Sequence, residues 1–184
     1  MRTWSWVFGA LFLLGLVANS YSGDKKSTDK ESGTQKAKGN DAEFVQKASE
    51  SDMAEIEISK LAVKQATDER VKKFATKMVE DHTKSSEQLT HIAKLRKLDL
   101  AKEITKAHRD KAEKLSKASG ADFDRQFMQT QVQAHEEALK LFQDQAKNGQ
   151  DPELRAFAAK TVPVIEHHLK MAQEITKGLQ GGAK

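Results

Sequence analysis

A carboxylate and three imidazoles, Glu55, His82, His135 and His168, are the side chains of this sequence best suited to chemistry. Each falls on the apolar stripe of a segment with helical period, advancing about 100° per residue. Burying such groups costs free energy unless they are paired or bound to a metal. Three neutral imidazoles and one carboxylate would suit a divalent transition metal such as zinc, copper, iron or nickel. A second reading of the same four residues is a hydrogen-bonded polar layer that fixes helix register and binds nothing.

The remaining histidines fall elsewhere. His91 points away from the apolar face of its segment, and His108 lies in a polar connecting stretch and reads as a surface residue. His167 is adjacent to His168 in "IEHHLK" (Ile165 to Lys170), and neighbours on a helix point about 100° apart, so His167 belongs in solvent. A di-iron centre of the ferritin type needs Glu-x-x-His on two helices and a Glu on each of the others. The sequence contains no Glu-x-x-His, and one carboxylate among four inward groups disfavours ferroxidase chemistry. There is no glycine-rich phosphate loop, no nucleophile elbow and no zincin motif. With no cysteine, thiolate metal sites, disulfides and cysteine nucleophiles are all excluded. Catalytic residues are therefore not assigned, and enzymatic activity is not the expectation.

The elements that must position these groups are helices. In 184 residues there are two prolines, a charged fraction of 32% and a hydrophobic fraction of 38%, dominated by good helix formers. The spacing predicts helix A from about Asp41, read as an N-cap, to Ala66. Phe44, Ala48, Ile58, Ala62 and Ala66 share its stripe with Glu55, while Glu57 faces solvent. Helix B follows the capping pair Thr67-Asp68 and runs to about Lys97, with Val71, Phe74, Ala75, Met78, Leu89, Ile92 and Ala93 inward around His82 and Asp81 at the edge. Helix C runs from near Ala121 to Asn148, stopped by Gly149, with Phe123, Phe127, Ala134, Ala138, Leu141 and Phe142 flanking His135. Glu136 and Glu137 lie outside that arc. Helix D starts at Asp151-Pro152, an N-cap with proline at the first position, and runs to about Leu179 with His168 inward. Pro163 inside it should kink the helix or free a carbonyl.

A and B are joined tightly, as are C and D, while Leu98 to Gly120 makes a long connection. This predicts an all-α, ferritin-like four-helix bundle with a long crossover between the second and third helices. The four inward polar residues lie roughly 19–26 Å from their turns at the usual helical rise. A crossover bringing both turns to one end of the bundle would place them in one layer.

The termini read differently. Residues 1–22 have a basic start at Arg2, an apolar run from Trp4 to Ala18 and a small-x-small site at Ala18-Asn19-Ser20, the pattern of a cleaved secretory signal peptide. No cysteine follows, so lipid attachment is excluded. Residues 23–40 lack large apolar side chains and read as a flexible basic and polar linker, residues 41–179 as the bundle with its crossover at 98–120, and residues 180–184 as a flexible tail. The expectation is a periplasmic or secreted protein with no transmembrane domain in the mature chain. The net charge of +4 is spread among acids, with no basic stripe to engage nucleic acid. No protein partner is indicated.

Several stretches together resemble a known family. "FVQKASESDMAEIEISKLAVKQATDERVKKFATKMVEDHTKSSEQL", then "FDRQFMQTQVQAHEEALKLF" and "DPELRAFAAKTVPVIEHHLKMA", are similar to a bacterial exported family of unassigned activity. That family is placed in the ferritin-like superfamily and often labelled outer membrane protein. The resemblance spans about Ala42 to Ile175 and rests on Glu55, Asp81-His82, Phe123-Asp124, His135, Pro163 and His168 in combination. The chain departs from it near Leu98, reading "KLDLAK" where the family usually has a proline. The resemblance implies the fold and export and supplies no reaction. Its outer-membrane label has no barrel pattern behind it. Two functions stay open: a metal-binding exported bundle, or a non-catalytic structural or stress-related interaction module.

Overall fold

The computed structural model describes residues 28–181, with side chains from Asn40 onward. The expected signal peptide, the first residues of the linker and the end of the tail lie outside the described residues. Five helices follow one another: α1 (Thr28–Gln65), α2 (Glu69–Arg96), α3 (Lys106–Ser116), α4 (Gly120–Asn148) and α5 (Pro152–Gly181). Among the described residues there is no strand, and no helix is long and apolar enough to cross a membrane.

Each long helix buries a stripe with alternating steps of three and four residues. On α1 the stripe includes Asp41, Val45, Ala48, Asp52, Glu55, Ser59 and Ala62, and Ala66 continues it just past the helix end. On α4 it includes Asp124, Met128, Gln131, His135, Phe142 and Gln145. Such spacing keeps one seam facing its neighbours along nearly parallel axes, as in other bundles. Two apolar clusters fill the interior. One gathers Phe74, Met78, Leu115, Phe123 and Phe127, and the other Phe44, Leu89, Phe142, Leu154 and Phe157. Phe44 meets Phe142 edge-on at 5.1 Å between ring centroids, a favoured aromatic geometry.

The chain ends of the helices are set by local chemistry. Asp68 caps α2 by accepting from the Arg70 N–H at 2.8 Å, and Asp151 caps α5 by accepting from Glu153 and Leu154 N–H at 2.9 and 3.0 Å. Lys97 ends α2 in the left-handed region at φ 54°, with the Leu98 N–H returning to the Ala93 carbonyl. Gly149 follows the last residue of α4, its N–H donating to the Gln145 carbonyl at 2.9 Å, and a Cβ there would lie 2.6 Å from that same backbone oxygen. The helix α5 continues through Pro163, whose side chain is exposed.

Three expectations change. First, α1 begins at Thr28, well inside the stretch read as a linker. Apolar period marks burial, not helicity, and extending an existing helix costs far less than nucleating one. Asp41 is therefore an interior residue of α1, not its cap. Second, the two turns lie at opposite ends of the bundle. Asp124, at the start of α4, binds the α1–α2 turn, whereas Asp41 on α1 binds the α4–α5 turn. The order is thus α1 up, α2 down, α4 down and α5 up, and residues 97–119 climb the full length between α2 and α4. The three histidines share a level because each sits near the middle of its helix, not because the turns coincide. Third, His108 is not a free surface residue. Its Nδ1 meets Glu50 Oε1 at 2.7 Å and helps pin the crossover to α1, as does the Thr105 N–H donating to the same oxygen at 2.8 Å.

Candidate metal centre

A polar belt crosses the bundle between the two apolar clusters. His82 comes from α2, His135 from α4 and His168 from α5, all turned inward by the seam positions they occupy. His135 and His168 are each 2% exposed, and the His82 side chain is 14% exposed. Ring centroids are separated by 5.8 Å (His82 to His135), 6.0 Å (His82 to His168) and 5.5 Å (His135 to His168). One nitrogen from each ring lies within 4.8 Å of the others. Ligand nitrogens around tetrahedral zinc stand about 3.4 Å apart at the usual bond length, so modest ring rotation would close the set onto an ion.

Each ring has its second nitrogen committed elsewhere. His82 Nδ1 lies 2.8 Å from Asp52 Oδ1, His168 Nε2 lies 2.9 Å from Asp81 Oδ2, and His135 Nδ1 donates to the Gln131 carbonyl at 2.9 Å. This is the arrangement by which metal-binding imidazoles are oriented: one nitrogen held by a carboxylate or carbonyl, the other left for the ion. His82 Nε2 and His135 Nε2 are buried without a hydrogen-bond partner, and for His168 the uncommitted atom is Nδ1. Together with Glu55, Ser85 and Thr161, the rings line a cavity of about 40 Å³, room for an ion with a water molecule.

Glu55 stands in the same belt but outside the three-nitrogen cluster. It is 4% exposed, and its Oε2 accepts from Gln131 Nε2 at 2.7 Å. Of the four predicted site residues, three are gathered and the fourth lines the cavity beside them. His91 and His167 are exposed, as is Glu57.

Charge in the belt is unevenly held. Burial depresses His168 to about 4, aided by His135 and His82 and only partly offset by the Asp81 carboxylate. Burial also lowers His135, with the nearby His82 adding to the effect and Glu55 opposing it. For His82 burial pulls down, but the bond to Asp52 and the charges of Glu55, Asp52 and Asp81 outweigh it, so its pKa is raised. Two of the three rings are therefore held neutral, as ligands must be.

Sequence reasoning passed over Asp52, Asp81 as a His168 partner, and Gln131. Asp52 was legible: it is four residues from Ala48 and three from Glu55, on the same three-four seam. Asp81 and Gln131 act across helices, and no spacing within one helix encodes that.

The fold and the belt define a one-crossover helical bundle with a triad of inward histidines. No curated protein matches the chain. Residues 26–175 match the family model described as Domain of unknown function (DUF4142), and the chain belongs to that family. Two solved structures share the fold. A DUF305 protein of Streptomyces coelicolor, described as secreted, has a TM-score of 0.67 at 14% identity, covering 77% of this chain and 94% of its own. A DUF305 fragment from Deinococcus radiodurans has a TM-score of 0.68 at 13% identity, covering 75% of this chain and 95% of its own.

Proposed function

We propose that this protein is an exported bundle that binds one divalent transition metal in its core, through His82, His135 and His168. The observation that carries the reading is the pair of buried, partnerless nitrogens, His82 Nε2 and His135 Nε2, on rings whose other nitrogens are already held. Leaving such atoms bare costs free energy that an ion would offset. Glu55, first expected as a fourth ligand, supplies a neighbouring negative charge, and the remaining coordination position belongs to water. Placement in the ferritin-like superfamily is supported by the single long crossover. Export to the periplasm or beyond is supported by the signal-like sequence of residues 1–22 and by the secreted description of the Streptomyces neighbour.

A second reading has its own support. Asp52 with His82, Asp81 with His168, and Glu55 with Gln131 are internal pairs that a purely structural belt would also use. The two readings part on metal uptake. An ion bound only by the folded state raises the melting temperature by mass action. With protein prepared without a histidine tag, added zinc should raise the melting temperature, and the gain should fade as the imidazoles protonate in acid. His82→Ala should abolish the rise and His167→Ala should keep it. A wild-type melt indifferent to zinc would leave the structural belt as the better account.

A further inference from the structure

A cleft of about 330 Å³ lies between the crossover and the α1–α4 face. Its outer rim carries Glu57 on α1, Lys111 on α3 and Glu137 on α4. Its inner wall is shared with the histidine cavity and consists of Ser51, Glu55, Ala134 and Ala138. Three of those four are among the smallest side chains, so little side-chain bulk separates the two spaces there. The fourth, Glu55, is the one charged group among the described residues that borders both spaces. Around the cleft the carboxylates of Glu50, Glu55, Glu57 and Glu137 outnumber the ammonium groups of Lys47 and Lys111, and Lys47 is itself paired with Glu43 at 2.6 Å. The crossover roofs the cleft and is tied down on one side through Glu50, which holds both Thr105 and His108.

We propose that this cleft is the entry of the metal centre, and that Glu55 is the carboxylate that receives a hydrated divalent cation there and hands it to the histidines. The inference rests on the metal-binding reading above and adds its route and an order of ligand exchange. A cation leaving bulk water loses hydration as it enters, and hard carboxylate oxygen replaces water more readily than a recessed imidazole does. Glu55 is the only residue of the shared wall able to supply that oxygen. Water is displaced by carboxylate, and carboxylate then by the partnerless Nε2 atoms of His82 and His135. The competing route is the α2–α5 seam, where Ser85, Thr161 and the exposed Val164 border the histidine cavity on its other side.

The chain has no cysteine, so single cysteines can be introduced without background. In the exported, tag-free protein, Lys111→Cys and Glu57→Cys would place a thiol at the cleft mouth, and Val164→Cys one at the opposite seam. Each is modified with a bulky methanethiosulfonate reagent that a phosphine removes. Cobalt(II) uptake is followed by stopped-flow through its visible bands, and release by competition with a chelator. Rates, more than the end point, report access. Modification at either cleft position should slow both uptake and release by about tenfold or more, leave the final cobalt stoichiometry unchanged, and be reversed by the phosphine. Modification at Val164→Cys should leave the rates as they were. Glu55→Gln should slow uptake in the unmodified protein while the bands, set by the three imidazoles, stay the same. Unchanged rates at both cleft positions, or slowing confined to Val164→Cys, would overturn the route. A collapse of affinity with altered bands in Glu55→Gln would overturn its role as a transient ligand. Absence of cobalt bands in the wild type is a different result, one that removes the metal reading itself.

Discussion

The ends of the bundle and its middle treat buried carboxylates and amides in opposite ways. At one end Asp124, 1% exposed, accepts from the Thr67 and Asp68 N–H groups at 3.0 and 2.9 Å and from the Thr67 hydroxyl. At the other end Asp41 accepts from Gln145 Nε2, Gln150 N–H and Asp151 N–H at 2.8, 3.0 and 2.8 Å. Each of these aspartates reaches from one hairpin to bind the turn of the other, and neither leaves an oxygen wanting. The middle belt leaves Asp52 Oδ2, His82 Nε2, Gln131 Oε1 and His135 Nε2 bare. A protein that satisfies its buried polar groups so fully at two levels has the means to do so at a third. Ser59 Oγ, one turn beyond Glu55, is bare as well, but four of the five bare atoms among the described residues gather in the belt. That gathering marks a place where something else completes the bonding, whereas the clamps are complete in themselves.

That contrast can be attacked by substitution. The largest expected effect is apolar and calibrates the rest. Phe127→Ala, at a ring with no exposure, should cost about 3–5 kcal/mol in urea unfolding, and Phe74→Ala a similar amount. A loss below about 1 kcal/mol would mean that the cluster around Phe127 is not the tightly packed core described here. Asp124→Ala comes next, on the order of 3 kcal/mol, because three donors of the α1–α2 turn lose a charged acceptor together. His135→Leu, in metal-free protein, should change stability by no more than about 1 kcal/mol, since it removes a bare nitrogen and keeps an apolar volume. If it costs as much as Asp124→Ala, the belt is as structural as the clamps and the comparison fails.

Acid should sharpen the same distinction. In metal-free protein the folded-state pKa of His168 is held near 4, below its ordinary value of 6.5. The unfolded chain takes up that proton first, so the stability linked to neutral His168 is full above about pH 6.5 and is lost as pH falls toward 4. The shift corresponds to about 3 kcal/mol. His135, lowered by burial, acts in the same direction, whereas the raised pKa of His82 acts against it: its contribution is full in acid and lost as pH rises. Urea midpoints should therefore fall between pH 6.5 and 4.5, and His168→Gln should flatten part of that fall. A slope unchanged by His168→Gln would place the acid sensitivity in the carboxylates instead. The smallest effect belongs to the exposed His91, where alanine should alter stability by less than about 0.5 kcal/mol.

What was legible in the sequence follows the same divide. Helix faces were readable because burial repeats along one helix: Phe74, Met78 and Leu89 announce the side on which His82 lies. Capping was readable where it is local, as at Asp68 and Asp151. The clamps were not, because Asp41 and Asp124 serve residues more than fifty positions away, and an aspartate near a helix start looks like that helix's own cap. The three histidines were found by face and level, but the reason they share a level was missed, since the direction of a crossover leaves no mark in periodicity. Glu55 was seen to face inward, yet only the geometry separates a side chain bordering the cavity from one within reach of all three rings.

Equilibrium dialysis against zinc, on protein freed of tag and metal, tests the central claim most directly. The account predicts one tightly held equivalent in the wild type, lost in His135→Leu at unchanged fold and retained in His167→Ala. A wild type that returns from dialysis without zinc, or a His135→Leu variant that still carries its equivalent, would contradict it.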